Sequence, residues 1–306
     1  MMHHMRYFLQ MNRSKSVSDR LVMTILCRNE VDIIEHNIRL HSQLGVDAFL
    51  VMDNGSTDGT REKLESLKSE FDLQVIDESG VYQQAKWMKQ LAIRARAKMG
   101  ADWVISNDAD EFWIPQDGGK SLKDYLNHRD SVVTVKRSNM LLTESALESG
   151  YHFSQASFRV GYPICYDKQA ELQDDSVSMF FANISPKVIV NPKGFIKISG
   201  GNHRARHIGK WFTARQESGI RVYHYPIRSW EQFEANIQHR RELLSKGNVR
   251  MGDHYRRWVR LLDEGKLYEE FEKFIVDDNQ QKVLAKKGLV VKDAIPCQLF
   301  KELFES

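Results

Sequence analysis

The sequence predicts an α/β fold. A mainly parallel sheet with helices on both faces fills the first half, a mixed sheet follows, and a helical extension closes the chain. Two observations carry this. From Leu21 to Ser106, short apolar runs alternate with amphipathic segments, the βαβ order that builds a parallel sheet. From about residue 132 the apolar runs are separated by longer loops, and from Ser229 onward the periodicity is helical.

The elements follow in order. Leu21 to Leu26 is the first strand, and Glu30 to Leu44 is a helix with Val31, Ile34, Ile38, His41 and Leu44 on one face, stopped by Gly45. Ala48 to Met52 is the second strand. Ser56 or Asp58 can cap the next helix, whose Leu64, Leu67 and Phe71 share a stripe. Leu73 to Ile76 is the third strand and Gln84 to Met99 a strongly amphipathic helix ended by Gly100. Asp102 to Ser106 is the fourth strand. Val132 to Lys136, Lys187 to Val190, Phe195 to Ile198 and Arg221 to Tyr225 are strands of the second half. Ser229-Trp230-Glu231-Gln232 is a capping-box pattern. Tyr255 to Leu262, Leu267 to Val276 and Pro296 to Phe304 are helical, the last with Pro in its first turn. Residues 20–245 are expected to form the main domain, 246–306 a helical extension packed on it, and 1–19 a flexible N-terminal segment.

Composition narrows the function. The 306 residues carry a formal net charge of only +3, which gives no support for a nucleic-acid partner. Cys27, Cys165 and Cys297 are odd in number and form no CxxC pair, so reduced thiols are expected. Met1 to Gln10 has no apolar core of a signal peptide, and no run of about 18 apolar residues could cross a membrane. A cytoplasmic protein is expected, with peripheral membrane contact left open.

Ligands of parallel α/β sheets bind beyond the carboxyl ends of the strands. Three polar clusters fall there: Arg28-Asn29-Glu30, Asp53-Asn54-Gly55-Ser56-Thr57-Asp58, and Asp108-Ala109-Asp110. In an extended chain Asp108 and Asp110 point the same way, and paired carboxylates call for a proton or a cation. Mn²⁺ or Mg²⁺ with oxygen ligands is the simplest answer. His203 and His224 each follow a strand and are the candidate third ligands. The stretch from Asn202 to Arg215 holds His203, Arg204, Arg206, His207, Lys210 and Arg215, a basic loop able to close over a diphosphate or meet an anionic acceptor. Trp113 and Trp211 lie near these clusters and are candidates to stack on a sugar. Asn54 to Glu65 has calcium-loop spacing but follows an apolar strand, and Gly119-Lys120-Ser121 lacks the earlier glycine of a phosphate loop.

The ordered set of Asp53-Asn54-Gly55-Ser56-Thr57-Asp58 and Asp108-Ala109-Asp110-Glu111 resembles the family 2 glycosyltransferases of GT-A fold. Arg28-Asn29-Glu30 and His224-Tyr225-Pro226-Ile227-Arg228-Ser229 resemble the soluble, non-processive branch, which is similar also to family 92. The resemblance spans roughly residues 20–245. It implies a hexosyltransferase of polysaccharide biosynthesis that moves a sugar from a UDP- or GDP-linked donor to a glycan, lipid-linked or other hydroxyl acceptor, with inversion. It implies that Asp53 and Asn54 face the nucleoside, that Asp108 faces the ribose or the metal shell, and that Asp110 binds the metal with His224 or His203. Arg28, Asn29, Glu30, Asp58, Lys86 and Arg204 complete the donor-binding candidates. Inverting members place an acidic base after the metal motif; Asp175, Asp174 and Glu171 lie in that part of the chain, with no Glu-Asp pair to choose among them. His254-Tyr255-Arg256-Arg257-Trp258 resembles the Gln-x-x-Arg-Trp of processive synthases with His for Gln, read here as coincidence. The rival readings are a nucleotidyltransferase, disfavoured because Cys27-Arg28-Asn29-Glu30 has no glycine, and a non-catalytic sugar-nucleotide or glycan-binding protein.

Overall fold

Strands β1 (Leu21–Cys27), β2 (Ala48–Asp53), β3 (Leu73–Asp77) and β4 (Trp103–Asp108) pair in parallel in the order β3-β2-β1-β4. This computed structural model describes residues 19–80, 82–117, 121–148, 150–167, 178–208, 214–247 and 251–305. A strand covered on both faces reads as a continuous apolar run, and every residue of β2 is buried. The connections are helices α1 (Ile34–Gln43), α2 (Thr60–Leu67) and α3 (Gln84–Met99). Strand alternation sorts them by face. Leu21, Met23 and Ile25 pack with Ile34, Ile38 and Leu64 of α1 and α2, whereas Val22, Leu50 and Met52 pack with Met88, Leu91 and Ala92 of α3. Gly100, at φ +67°, ends α3 and gives its N–H to Ala95, a left-handed cap that glycine adopts without Cβ strain.

Helix α1 begins later than the sequence predicts. Asn29 is left-handed, and residues 29–31 give their N–H groups to Ser56, Thr60 and Asp58, which ties the β1–α1 loop to the β2–α2 loop.

The second half adds β5 (Glu111–Pro115), β6 (Val132–Asn139), β7 (Leu142–Thr143), β8 (Phe158–Val160), β9 (Lys187–Val190), β10 (Phe195–Ile198), β11 (Ala205–His207) and β12 (Ala214–His224). The main sheet continues from β4 as β9-β6-β12-β5, with β9 antiparallel to both neighbours, β12 parallel to β6 and β5 antiparallel to β12. In a flat sheet the four steps from β4 to β5 would span about 19 Å. Yet Asp108 and Glu111 are joined by three peptide units, a reach of at most about 11 Å. The sheet must therefore curl, and the curl brings the end of β12 beside the end of β4. Helix α1 holds the turn. Asn37 Nδ2 donates to Ala109 O and Glu111 O, and His41 Nε2 accepts the Trp113 N–H at 2.9 Å.

The chain closes with α4 (Trp230–Ser245), α5 (Asp253–Asp263), α6 (Leu267–Glu272), β13 (Ile275–Val276), α7 (Asp278–Lys286), β14 (Val290–Lys292) and α8 (Ile295–Phe304). Ser229 caps α4 through the Gln232 N–H, but Gln232 Oε1 accepts from Arg228, so half of the capping box forms. The helix expected over Leu267 to Val276 splits, because Ile275 and Val276 pair with β7 as β13. Strand β14 pairs with β8, and Trp258, Phe271 and Phe274 share a core with Leu142, Phe180 and Phe233. Arg257 and Trp258 both bond the buried Glu270, so the stretch that resembles Gln-x-x-Arg-Trp builds an interior ion pair here. All three cysteines are free. Among the described residues, no helix is long and apolar enough to cross a membrane.

Candidate active site

The three polar clusters meet at the carboxyl ends of β1, β2 and β4, and two of them are wired to each other. Arg28 Nη1 donates to Asn54 O, Thr57 N–H to Asn29 Oδ1, and Ser56 N–H to Asp53 Oδ1. Asn54 Nδ2 donates to Glu78 O, and Asp58 Oδ1 accepts the Thr60 N–H at the start of α2. Asp53 and Asn54 are buried, Arg28 and Asp58 exposed. Asp53, Asn54 and Asp58 thus all shape the loop beyond the end of β2. Lys86 and Arg204 are exposed.

The two aspartates of Asp108-Ala109-Asp110 have different partners. Asp108 Oδ2 is ion-paired with Lys187, while its Oδ1 accepts from Gln84 Nε2 and Asn202 Nδ2 at 3.2 Å each. Lys187 is fully buried and also reaches Glu111 Oε1 at 2.9 Å, an oxygen shared with Arg137. The cation that answers Asp108 is therefore a lysine of the protein. Lys187, Arg137 and Asn139 were absent from the sequence-based candidates. The one signal was a lysine opening an otherwise apolar strand after Pro186.

Asp110 turns instead toward His224, whose Nε2 lies 3.2 Å from its Oδ2. The ring's other nitrogen, Nδ1, bonds Asn139 Oδ1 at 2.7 Å. An amide oxygen only accepts, so Nδ1 carries a proton and Nε2 is the nitrogen turned to the carboxylate. Two electron-rich atoms at that distance need a proton or a cation between them. Burial works to raise the Asp110 carboxyl; His224, Arg228 and Lys187 more than reverse it and hold it well below the usual carboxylate range. Burial pushes the nearby Glu30 carboxyl up to about 8, against the pull of Arg228 and with Asp110 and Asp32 adding to it.

Asp110, Glu111 and His224 bring ligand atoms within 4.8 Å of one another. Glu111 Oε2 is buried with no hydrogen-bond partner among the described residues. Oxygen and imidazole donors with an orphaned carboxylate oxygen fit Mn²⁺ or Mg²⁺. Asp108 and His203 lie outside that group. His203 Nδ1 bonds Pro186 O, and burial with the Lys187 and Arg137 charges brings its pKa down to about 4.

Arg228 is buried behind this group. It reaches Glu30, Asp32 and Tyr225 O, joining the β1–α1 loop to the end of β12. Arg228→Met leaves the largely buried Glu30 carboxyl without its partner while the exposed Asp32 stays solvated, and unfolding in urea is expected to show a loss of about 1–3 kcal/mol. A loss below about 1 kcal/mol would show that this clamp is dispensable.

Some candidates stand elsewhere. Trp113 is wholly buried and donates Nε1–H to Asn107, so it is a core residue and not a stacking platform. Arg215 is paired with Asp130 and Glu217. Glu171, Asp174, Asp175, Lys210 and Trp211 lie outside the described residues.

No curated protein matches this chain. Among solved structures, S. aureus TarS 1-349 in complex with UDP-GlcNAc is 12% identical, with a TM-score of 0.41 over 84% of this chain and 73% of that one. The same TarS piece in complex with UDP is 13% identical, with a TM-score of 0.40 over 80% and 70%. A mycobacterial protein is 15% identical, with a TM-score of 0.36 over 76% of each chain. Residues 24–181 match the glycosyl transferase family 2 profile. That match takes in more than half of the 306 residues, and the chain belongs to glycosyl transferase family 2.

Proposed function

We propose that this glycosyltransferase moves a sugar from a UDP- or GDP-linked donor to an acceptor hydroxyl, with inversion and with Mn²⁺ or Mg²⁺ held by Asp110, His224 and Glu111. The observation that supports the metal is the grouping of Asp110, Glu111 and His224 about one point, with His224 Nδ1–H spent on Asn139, Nε2 turned to Asp110 and Glu111 Oε2 without a hydrogen-bond partner among the described residues. The bound metal would supply Lewis-acid stabilisation of the leaving nucleoside diphosphate. The chain's own residues do the rest. The Asp53–Asp58 loop receives the nucleoside, and Lys187 fixes Asp108 and Glu111 in place. An acidic side chain takes the acceptor proton as general base; its position in the chain supports Asp175, with Asp174 and Glu171 as the alternatives.

Nucleotide release across a panel of UDP- and GDP-linked sugars tests the reading, with Mn²⁺, Mg²⁺ or chelator present. Release that depends on metal is expected with one donor class. Calorimetric binding of a donor with no release under any metal would instead identify a binding protein. Asn139→Ala removes the group that orients His224, and its apparent Mn²⁺ affinity is expected to fall about 10–100-fold. An unchanged affinity would separate His224 from the metal.

A further inference from the structure

Beside this site lies a cavity of about 400 Å³ between β6, β12 and the loops around Pro163 and Asn183. It exists because β12 leaves register with β6. Glu217 pairs with Val135 and Val222 with Arg137, so four residues of β12 bulge past one of β6. Its wall includes Lys136, Arg137, Ser138, Asn139 and Arg221. Two of these touch the candidate metal group from behind: Asn139 bonds His224, and Arg137 bonds Glu111.

Among the described residues, the charge of this wall is not balanced. Glu217, its one acid among them, is paired with Arg215, and Arg137 with Glu111. Lys136 has no ion-pair partner among the described residues. Arg221 is half-buried and bonded only to neutral groups, Gln116 Oε1 and Ser138 Oγ. Burial, chiefly, and the charge of Arg159 work against its cationic form, and more than offset Tyr223 and Asp293. Arg137 Nε is buried with no hydrogen-bond partner among the described residues. Buried cations are ordinarily paired, and guanidinium groups favour carboxylate and phosphate oxygens.

We propose that this cavity is an anion-binding subsite that takes the phosphate or carboxylate group of the acceptor, with Arg221 and Lys136 as its principal contacts. The acceptor role rests on the donor-site reading above; the binding of an anion does not. A neutral acceptor would leave the half-buried Arg221 facing only neutral groups among the described residues, whereas an acidic one matches Arg221, gains the exposed Lys136 and places its hydroxyls at the edge shared with Asn139.

Calorimetric titration of the whole chain, saturated with UDP and Mn²⁺ so that the donor site is filled, tests the proposal. Glycerol 3-phosphate and glycerate are the probes and glycerol the matched neutral control. Binding of an acidic probe without binding of glycerol is expected. Arg221→Gln and Lys136→Gln, the latter at an exposed side chain with little bearing on folding, should each weaken it about tenfold. UDP affinity should not change. Equal binding of glycerol, no binding of either acid, or unweakened binding in both variants overturns the proposal. Should UDP itself fail to bind while the acidic probes do, the donor reading falls and takes the acceptor role with it, and the anion site stands.

Discussion

Asp110→Asn is expected to lower metal-stimulated nucleotide release by about 10³-fold, because a metal's charge stabilisation of several kcal/mol is lost with its ligand. The substitution keeps shape and removes charge. An Asn side chain can donate to or accept from the His224 Nε2 that Asp110 now faces at 3.2 Å, and the carboxyl that helps to raise Glu30 disappears. Thermal stability should therefore hold or rise while activity collapses, which separates a lost ligand from a damaged fold. Asp108→Asn is expected to cost less activity, since Lys187 keeps its pairing with Glu111. Turnover of Asp110→Asn equal to that of the unaltered chain, at saturating donor and Mn²⁺, would sink the metal role.

The first half of the fold was legible because local pattern and tertiary environment agree there. Strands β1, β2 and β4 are covered on both faces and read as apolar runs, and the helices that cover them carry one apolar stripe each. Strand β5 was not legible. Glu111-Phe112-Trp113-Ile114-Pro115 falls in no predicted element, and what turns the chain at Ala109 is Asn37 and His41, 72 residues before the groups they bond. The site divides the same way. Asp110 and His224 could be seen from their strand-end positions. Lys187 could not, because a lysine at the start of a strand reads as a solvated end. Only the antiparallel register of β9 against β4 carries it, buried, to the level of Asp108. Asn139 became visible only through the register that sets it opposite His224. The acidic base stays a matter of sequence position, since 168–177 lie outside the described residues.

The second large effect concerns acid. His41 is wholly buried, its Nδ1–H donating to Asn37 O and its Nε2 accepting from the Trp113 N–H. Both nitrogens are satisfied in the neutral ring. A second proton would meet the Trp113 N–H head-on in a fully buried site, and burial brings the pKa down from 6.5 to about 3. Because the folded value is depressed, the unfolded chain binds the proton more readily. Stability is then fully present above about pH 6.5 and drains away as the pH falls toward 3, by at most about 1.4 kcal/mol per pH unit. Completed protonation would cost on the order of 5 kcal/mol. His203 and His254, each lowered to about 4 chiefly by burial, act with the same sign, so the unaltered chain shows their sum. His41→Gln should remove its own share. Urea unfolding of both proteins between pH 7.5 and 5 should show a shallower pH slope in the variant. Identical slopes would mean that His41 does not stand neutral between α1 and β5. Because the same contacts hold the turn carrying Asp110 and Glu111, Mn²⁺ binding should weaken in step with this acid loss.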